Sequence, residues 1–183
     1  METATARDRL RDLLRKRAVL RGDFVLSSGQ HSNVYLDARL VTLSAEGSAL
    51  VGAVLTDALA DAAVDAVAGL TLGADPIVSS VAVVSGLQER PIDGLIVRKA
   101  AKGHGAGRRI EGPWHDGVRV AIVEDTVTTG ASALDAARAV EEAGGRVAGF
   151  WALIDRDQGG RETIEATGLP FVAIFQAQEL LAE

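Results

Sequence analysis

The sequence predicts an α/β protein with a central parallel sheet flanked by helices and a small N-terminal β-hairpin as a cover. Two observations carry this. From Val64 onward, short apolar runs alternate with helical patterns, as parallel strands joined by crossover helices require. One run, Val118 to Val123, is apolar at every position but Arg119, the pattern of a strand buried on both faces. In such a sheet, ligands gather outside the carboxyl ends of the strands. At 183 residues the chain suits one domain, 1–183, with the cover over about 1–40 and the core over about 44–183.

Taken in order, Thr3 to Leu20 reads as an amphipathic helix with Leu10, Leu13, Leu14 and Ala18 on one side. Phe24 to Asp37 reads as two short strands around the Ser28-Gly29 turn. Ser44 caps a helix striped by Val51, Val54, Leu55, Ala58 and Leu59. Val64 to Leu70 is a strand, with Thr71 to Ala74 as its exit loop. Asp75 reads as the N-cap of a helix from Pro76 to Val84. Gly94 to Val97 is the next strand, then Val118 to Val123. A helix with Ala133, Leu134, Ala137 and Val140 at helical spacing follows and stops at Gly144-Gly145. Val147 to Ile154 and Phe171 to Phe175 are strands, Thr163 to Thr167 a short helix, and Gln176 to Leu181 a closing helical turn.

Composition narrows the function. A net charge of −6 argues against general nucleic-acid or anionic-membrane binding, so an anion site must be built locally. The absence of cysteine excludes disulfides and thiolate chemistry and fits a reducing cytoplasm. Arg7, Asp8, Arg9, Arg11 and Asp12 give the N-terminus a charge mixture unlike a signal peptide, and no apolar run approaches membrane-spanning length.

The chemistry concentrates after Val123, in Glu124-Asp125-Thr126-Val127-Thr128-Thr129-Gly130-Ala131-Ser132. Backbone N–H groups from Val127 to Ser132 can converge on an anion at a helix N-terminus. Gly130 allows close approach, and Thr128, Thr129 and Ser132 add hydroxyl donors. Glu124 and Asp125 are acceptors suited to sugar hydroxyls. The segment describes a cradle for a ribose 5-phosphate, and it resembles the phosphoribosyl diphosphate signature of type I phosphoribosyltransferases. A plain strand–loop–helix crossover explains an isolated glycine loop but not this whole run.

A second segment sharpens the resemblance. Arg98-Lys99-Ala100-Ala101-Lys102-Gly103-His104-Gly105-Ala106-Gly107-Arg108-Arg109 places five cations and a histidine at the exit of the strand Gly94–Val97. It resembles the catalytic loop of orotate phosphoribosyltransferases. That resemblance implies the type I phosphoribosyltransferase fold and transfer of a phosphoribosyl group to orotate. It implies that Arg98, Lys99, Lys102 and His104 contact diphosphate, with Lys102, His104 and Asp125 as catalytic residues. It further implies a homodimer with active sites shared across the interface, and Mg²⁺ that arrives on phosphoribosyl diphosphate rather than in a protein metal site.

Two other stretches agree. Leu153-Ile154-Asp155-Arg156 ends a strand where the family places an arginine for the orotate carboxylate, which maps onto Arg156. Phe24-Val25-Leu26 with Tyr35 resembles the family's N-terminal hood, whose aromatics flank the pyrimidine. The sequence departs from many members at Ser27 and in Leu72-Gly73-Ala74, where lysines are common, and at Val34-Tyr35-Leu36, where paired aromatics are. Two rivals stand beside this reading. A phosphoribosyltransferase for a purine does not usually carry Arg-Lys-x-x-Lys-x-His-Gly or need Arg156. A non-catalytic regulator that senses the same ligand has no use for Lys102 and His104.

Overall fold

The computed structural model describes residues 5–25, 31–100 and 109–182. Helix α1 (Ala6–Arg17) starts at a capping box, in which the Thr5 hydroxyl accepts the Asp8 amide and the Asp8 carboxylate reaches back to the amide of Thr5. It is shorter than the sequence pattern suggests. Val19 and Leu20 belong instead to β1 (Val19–Val25), which pairs antiparallel with β2 (His31–Leu36) in the register Val19 to Leu36 and Leu20 to Tyr35. The Ser28-Gly29 turn lies outside the described residues. A single turn, α2 (Arg39–Thr42), then leads to α3 (Ala45–Ala58), capped by the Ser44 hydroxyl.

The core continues as β3 (Ala66–Leu70), α4 (Asp75–Leu87), β4 (Asp93–Val97), β5 (Ile110–Glu111), β6 (Arg119–Val127), α5 (Ala131–Glu142), β7 (Arg146–Asp155), α6 (Gly160–Glu165), β8 (Phe171–Gln176) and α7 (Ala177–Leu181). The sheet order is β5-β4-β3-β6-β7-β8, parallel throughout except for β5 at the edge. This confirms the mostly parallel α/β architecture. Asp75 is not the N-cap: it occupies the first helical position after Ala74, because its carboxylate takes a bond at 2.7 Å from the nearer Thr71 hydroxyl. Helix α6 starts at Gly160, with Thr163 inside its first turn and bonded back to the Gly159 carbonyl.

The pleat sorts side chains into two cores. Val67, Ala121, Val123, Trp151 and Leu153 pack under α1, α3, α4 and α7. Ala66, Ala68, Val120, Ile122, Phe150 and Ala152 pack under α5 and α6. Trp151 keeps its indole N–H satisfied by the Ala58 carbonyl at 3.2 Å. No helix among the described residues is long and apolar enough to cross a membrane.

This topology locates the site. The chain runs from β3 outward to β4 and then returns to lay β6 on the other side of β3, so the direction of winding reverses between β3 and β6. A crevice opens at the carboxyl ends of two such strands. Gly69 lets their exits lie close, since a Cβ there would stand 2.4 Å from the Val123 carbonyl oxygen.

Candidate active site

Strand β6 runs further than its apolar run, pairing with β7 through Glu124 to the match of Val127 with Asp155. The two carboxylates are therefore inside the strand, and the pleat separates them. Glu124 lines a cavity on the α5 side together with Thr126, Val127, Thr128, Thr129, Gly130, Ala131 and Ser132. Asp125 turns to the other side, against the exit loop of β3. Its carboxylate oxygens lie 2.9 Å from where a Cβ on Gly73 would be, so only glycine there leaves Asp125 its place.

The electrostatics of the pair differ accordingly. Glu124 is 8% exposed and its Oε1 has no hydrogen-bond partner. Burial, and then the charge of Asp125, push its pKa up to about 8. Burial also raises Asp125, but the Thr126 amide donates to it at 2.7 Å and the Arg39 guanidinium pulls the other way. Arg39 is not among the residues the sequence singles out. It is held by Asp37 through bonds of 2.9 and 3.1 Å, and those bonds hold the Asp37 carboxyl below its usual range. The signal available was the charged pair Asp-x-Arg placed directly after the hairpin.

Gly130 sits at φ +80° as the N-cap of α5 and offers no capping side chain. The leading amides of α5 therefore face the cavity with only Thr129, whose hydroxyl accepts from the Ala131 amide at a long 3.5 Å. Open amides at the positive end of a helix form an anion site. Opposite, the loop Thr71 to Ala74 is tied to the end of β4 by the Thr71 amide on the Val97 carbonyl at 2.8 Å.

The cations of the basic segment are not equivalent. Arg98 meets Glu111 at 3.3 Å in a pair well exposed on both sides, and Lys99 is exposed. Lys102 and His104 lie outside the described residues. Arg109 faces away, its Nε donating to the Arg98 carbonyl at 2.9 Å and its fork to Asp135 at 3.1 and 2.6 Å.

Arg156 leaves β7 beside the cradle, with its amide on the Val127 carbonyl at 2.9 Å. Its side chain is half-buried and has no ion-pair partner among the described residues. The preceding Asp155 is fully buried and paired with Arg161 at 3.2 Å, so Asp155 and Arg156 are not a surface pair with each other. Tyr35 is half-buried, its ring 5.7 Å from that of Phe24.

Known proteins resemble this chain along nearly all its length. It is 50% identical over 173 residues to the orotate phosphoribosyltransferase of Synechocystis, covering 94% of this chain and 87% of that one. It is 45% identical over 178 residues to that of Aquifex aeolicus, covering 96% and 97%. The chain belongs to the orotate phosphoribosyltransferase family. Among solved structures, the Mycobacterium tuberculosis orotate phosphoribosyltransferase in complex with 5-phospho-α-D-ribosyl 1-diphosphate superposes with a TM-score of 0.83 at 40% identity, covering 96% of this chain and 99% of that one. No family model matches the chain.

The state of Glu124 has a measurable consequence. Between its ordinary value of 4.5 and about 8, the unfolded chain releases the Glu124 proton while the folded chain keeps it. The folded state therefore loses stability as pH rises through that window, by on the order of a few kcal/mol. Glu124→Gln is expected to be more stable than wild type at pH 8.5 and nearly equal at pH 4.5. Urea denaturation at the two pH values measures this; a difference independent of pH contradicts the assignment.

Proposed function

We propose that this chain catalyses the reaction of orotate with 5-phosphoribosyl 1-diphosphate, giving orotidine 5′-monophosphate and diphosphate in pyrimidine biosynthesis in the cytoplasm. The observation that carries the reading is the convergence, at one switch point, of the open α5 amides and two differently placed carboxylates, with Arg98 and Lys99 at the exit of the neighbouring β4. Family membership at up to 50% identity supports it.

The residues divide the work by position. The 5-phosphate sits in the cradle of Thr126 to Ser132, held by backbone amides and hydroxyls. Glu124 and Asp125 accept the ribose hydroxyls from the two sides of β6. Arg156 pairs with the orotate carboxylate, and Tyr35 covers the pyrimidine ring. Orotate N1 then gives its proton up to solvent and forms its bond to ribose C1 while the C1–O bond breaks and its electron pair leaves with diphosphate. Charge grows on the leaving group as positive charge grows on the ribose, so cations near the departing oxygen stabilise the transition state more than the ground state. Arg98 and Lys99 stand at the start of the segment that supplies them. Lys102 and His104, outside the described residues, are assigned to the same leaving group, His104 as a proton donor. Holding both reactants in line supplies much of the acceleration.

Mg²⁺ fits this site as a passenger on the substrate. Glu124 offers a hard oxygen with no hydrogen-bond partner, on the cavity where the ribose is proposed to lie. Glu124 and Asp125 would hold Mg²⁺ indirectly, by way of the ribose hydroxyls, and it would supply charge neutralisation to the diphosphate.

A homodimer with shared sites belongs to the same proposal. Ser79, Val83 and Leu87 repeat every four residues along α4, and Ser79 lines a hollow with Leu43 and Leu72. Leu43, Leu72, Val83 and Leu87 are 62–81% exposed, an apolar face beside the diphosphate-side loop that a second copy would cover.

Two experiments test this reading. Wild type is expected to turn over orotate but not adenine or guanine. Arg156→Ala is expected to weaken orotate by about 2–3 kcal/mol while sparing phosphoribosyl diphosphate, read by calorimetry. Equal turnover of a purine, or unchanged orotate affinity in the variant, contradicts the assignment. For the shared site, Asp125→Asn and Lys102→Ala are each expected to be poor alone. Refolded together, half the dimers are mixed and one site in each is whole, so roughly a quarter of wild-type activity returns. No recovery despite verified subunit exchange means the basic segment serves its own chain.

A further inference from the structure

Arg109 is a cation in a basic segment, yet its geometry commits it elsewhere. Arg98 and Arg109 are bonded to each other where the segment leaves and returns, the Arg98 amide donating to the Arg109 carbonyl at 2.8 Å and Arg109 Nε to the Arg98 carbonyl at 2.9 Å. The fork of the same guanidinium grips Asp135 with two bonds, 3.1 and 2.6 Å long. Asp135 lies one turn inside α5, the helix whose N-terminus closes the cradle. The pair is less exposed than the Arg98–Glu111 pair, at 22% and 32% against 40% and 43%. It is bidentate, an arrangement that lysine cannot reproduce. The guanidinium holds the Asp135 carboxyl below its usual range.

We infer that Arg109 is a positioning residue: through Asp135 it locks the exit of β4, and so Arg98 and Lys99, at a set distance from the phosphate cradle. The pair adds a directional polar link to the apolar packing these elements share, in which Leu95, Val97 and Ile110 lie in one core with Ala133, Ala136 and Ala137. Beyond the stem, β5 is only two residues long and pairs only with the edge of β4. The substrate spans the same gap, with its 5-phosphate in the cradle and its diphosphate near the β4 exit. A spacing error of about 1 Å in such an arrangement costs up to about 100-fold in rate. The inference rests on the proposed function, because that reading places the two ends of the substrate.

The test separates the ends. Arg109→Ala, Asp135→Ala and the double variant are titrated with ribose 5-phosphate and, separately, with inorganic diphosphate. Asp135→Ala replaces a half-exposed helical side chain by the best helix former, so this variant folds even if Arg109→Ala does not. All three are expected to bind ribose 5-phosphate within about twofold of wild type, since the cradle is built from backbone. All three are expected to lose diphosphate affinity by about tenfold, with the double variant no worse than either single one, because both singles break one bridge. Arg109→Lys, which keeps the charge without the fork, is expected to recover only part of that loss. Unchanged diphosphate affinity in Asp135→Ala, additive losses in the double variant, or equal losses of both ligands overturn the inference. Wild type that binds neither ligand overturns the proposed site itself, and the clamp with it.

Discussion

The site depends on one constraint: β6 is buried on both faces up to Val123 and yet carries two carboxylates before it ends. Because adjacent strand residues face opposite ways, Glu124 continues the row of Val120 and Ile122 and Asp125 the row of Ala121 and Val123. One carboxylate is sent toward α5 and the cradle, the other toward the hood and the loop after β3. Neither is neutralised by a cation in direct contact. Glu124 is left with an unpaired oxygen and a pKa of about 8, a cost that a stability-optimised core does not carry. A buried carboxyl oxygen of this kind calls for a hydrogen-bond partner, whether water, ion or substrate hydroxyl.

The surrounding elements are shaped by that constraint. Gly73 allows the β3 exit loop to reach Asp125, and Gly130 turns the chain from β6 into α5 with its amides open. Gly160 allows α6 to press against the cradle from behind, since a Cβ there would lie 2.7 Å from the Thr128 carbonyl oxygen. These are close approaches of backbone to backbone, or of the Asp125 carboxylate to backbone, that only a missing Cβ permits. The charged rim is looser. Arg98 is held by an exposed pair of the kind that contributes little and exchanges readily for a stronger anion.

Much of this was legible in the sequence. Buried parallel strands leave continuous apolar runs, so β3, β6, β7 and β8 announce themselves, and a strand, an acidic pair and a hydroxyl–glycine turn before a helix mark the cradle. What stayed hidden depends on three-dimensional register. The two-residue β5 and the single-turn α2 are too short to show a period. Val19 and Leu20 fit a helix face as well as a strand, and only pairing with Tyr35 and Leu36 decides. Arg109 reads as one more loop cation until the face of α5 that meets the β4 exit is known. Glu124 and Asp125 read as a pair, although the pleat gives them separate neighbours.

Burial holds the Glu124 carboxyl well above its ordinary range, and the proposed function brings the ribose hydroxyls to that carboxyl. Hydroxyl donors that favour the ionised form are expected to draw the Glu124 proton into solvent when phosphoribosyl diphosphate binds. Calorimetric titration at pH 7 in buffers of different ionisation enthalpy counts that proton directly, and the same titration of Glu124→Gln subtracts protons that come from the ligand itself. Wild type is expected to release about one proton per site more than the variant. Equal proton counts for the two proteins would contradict it.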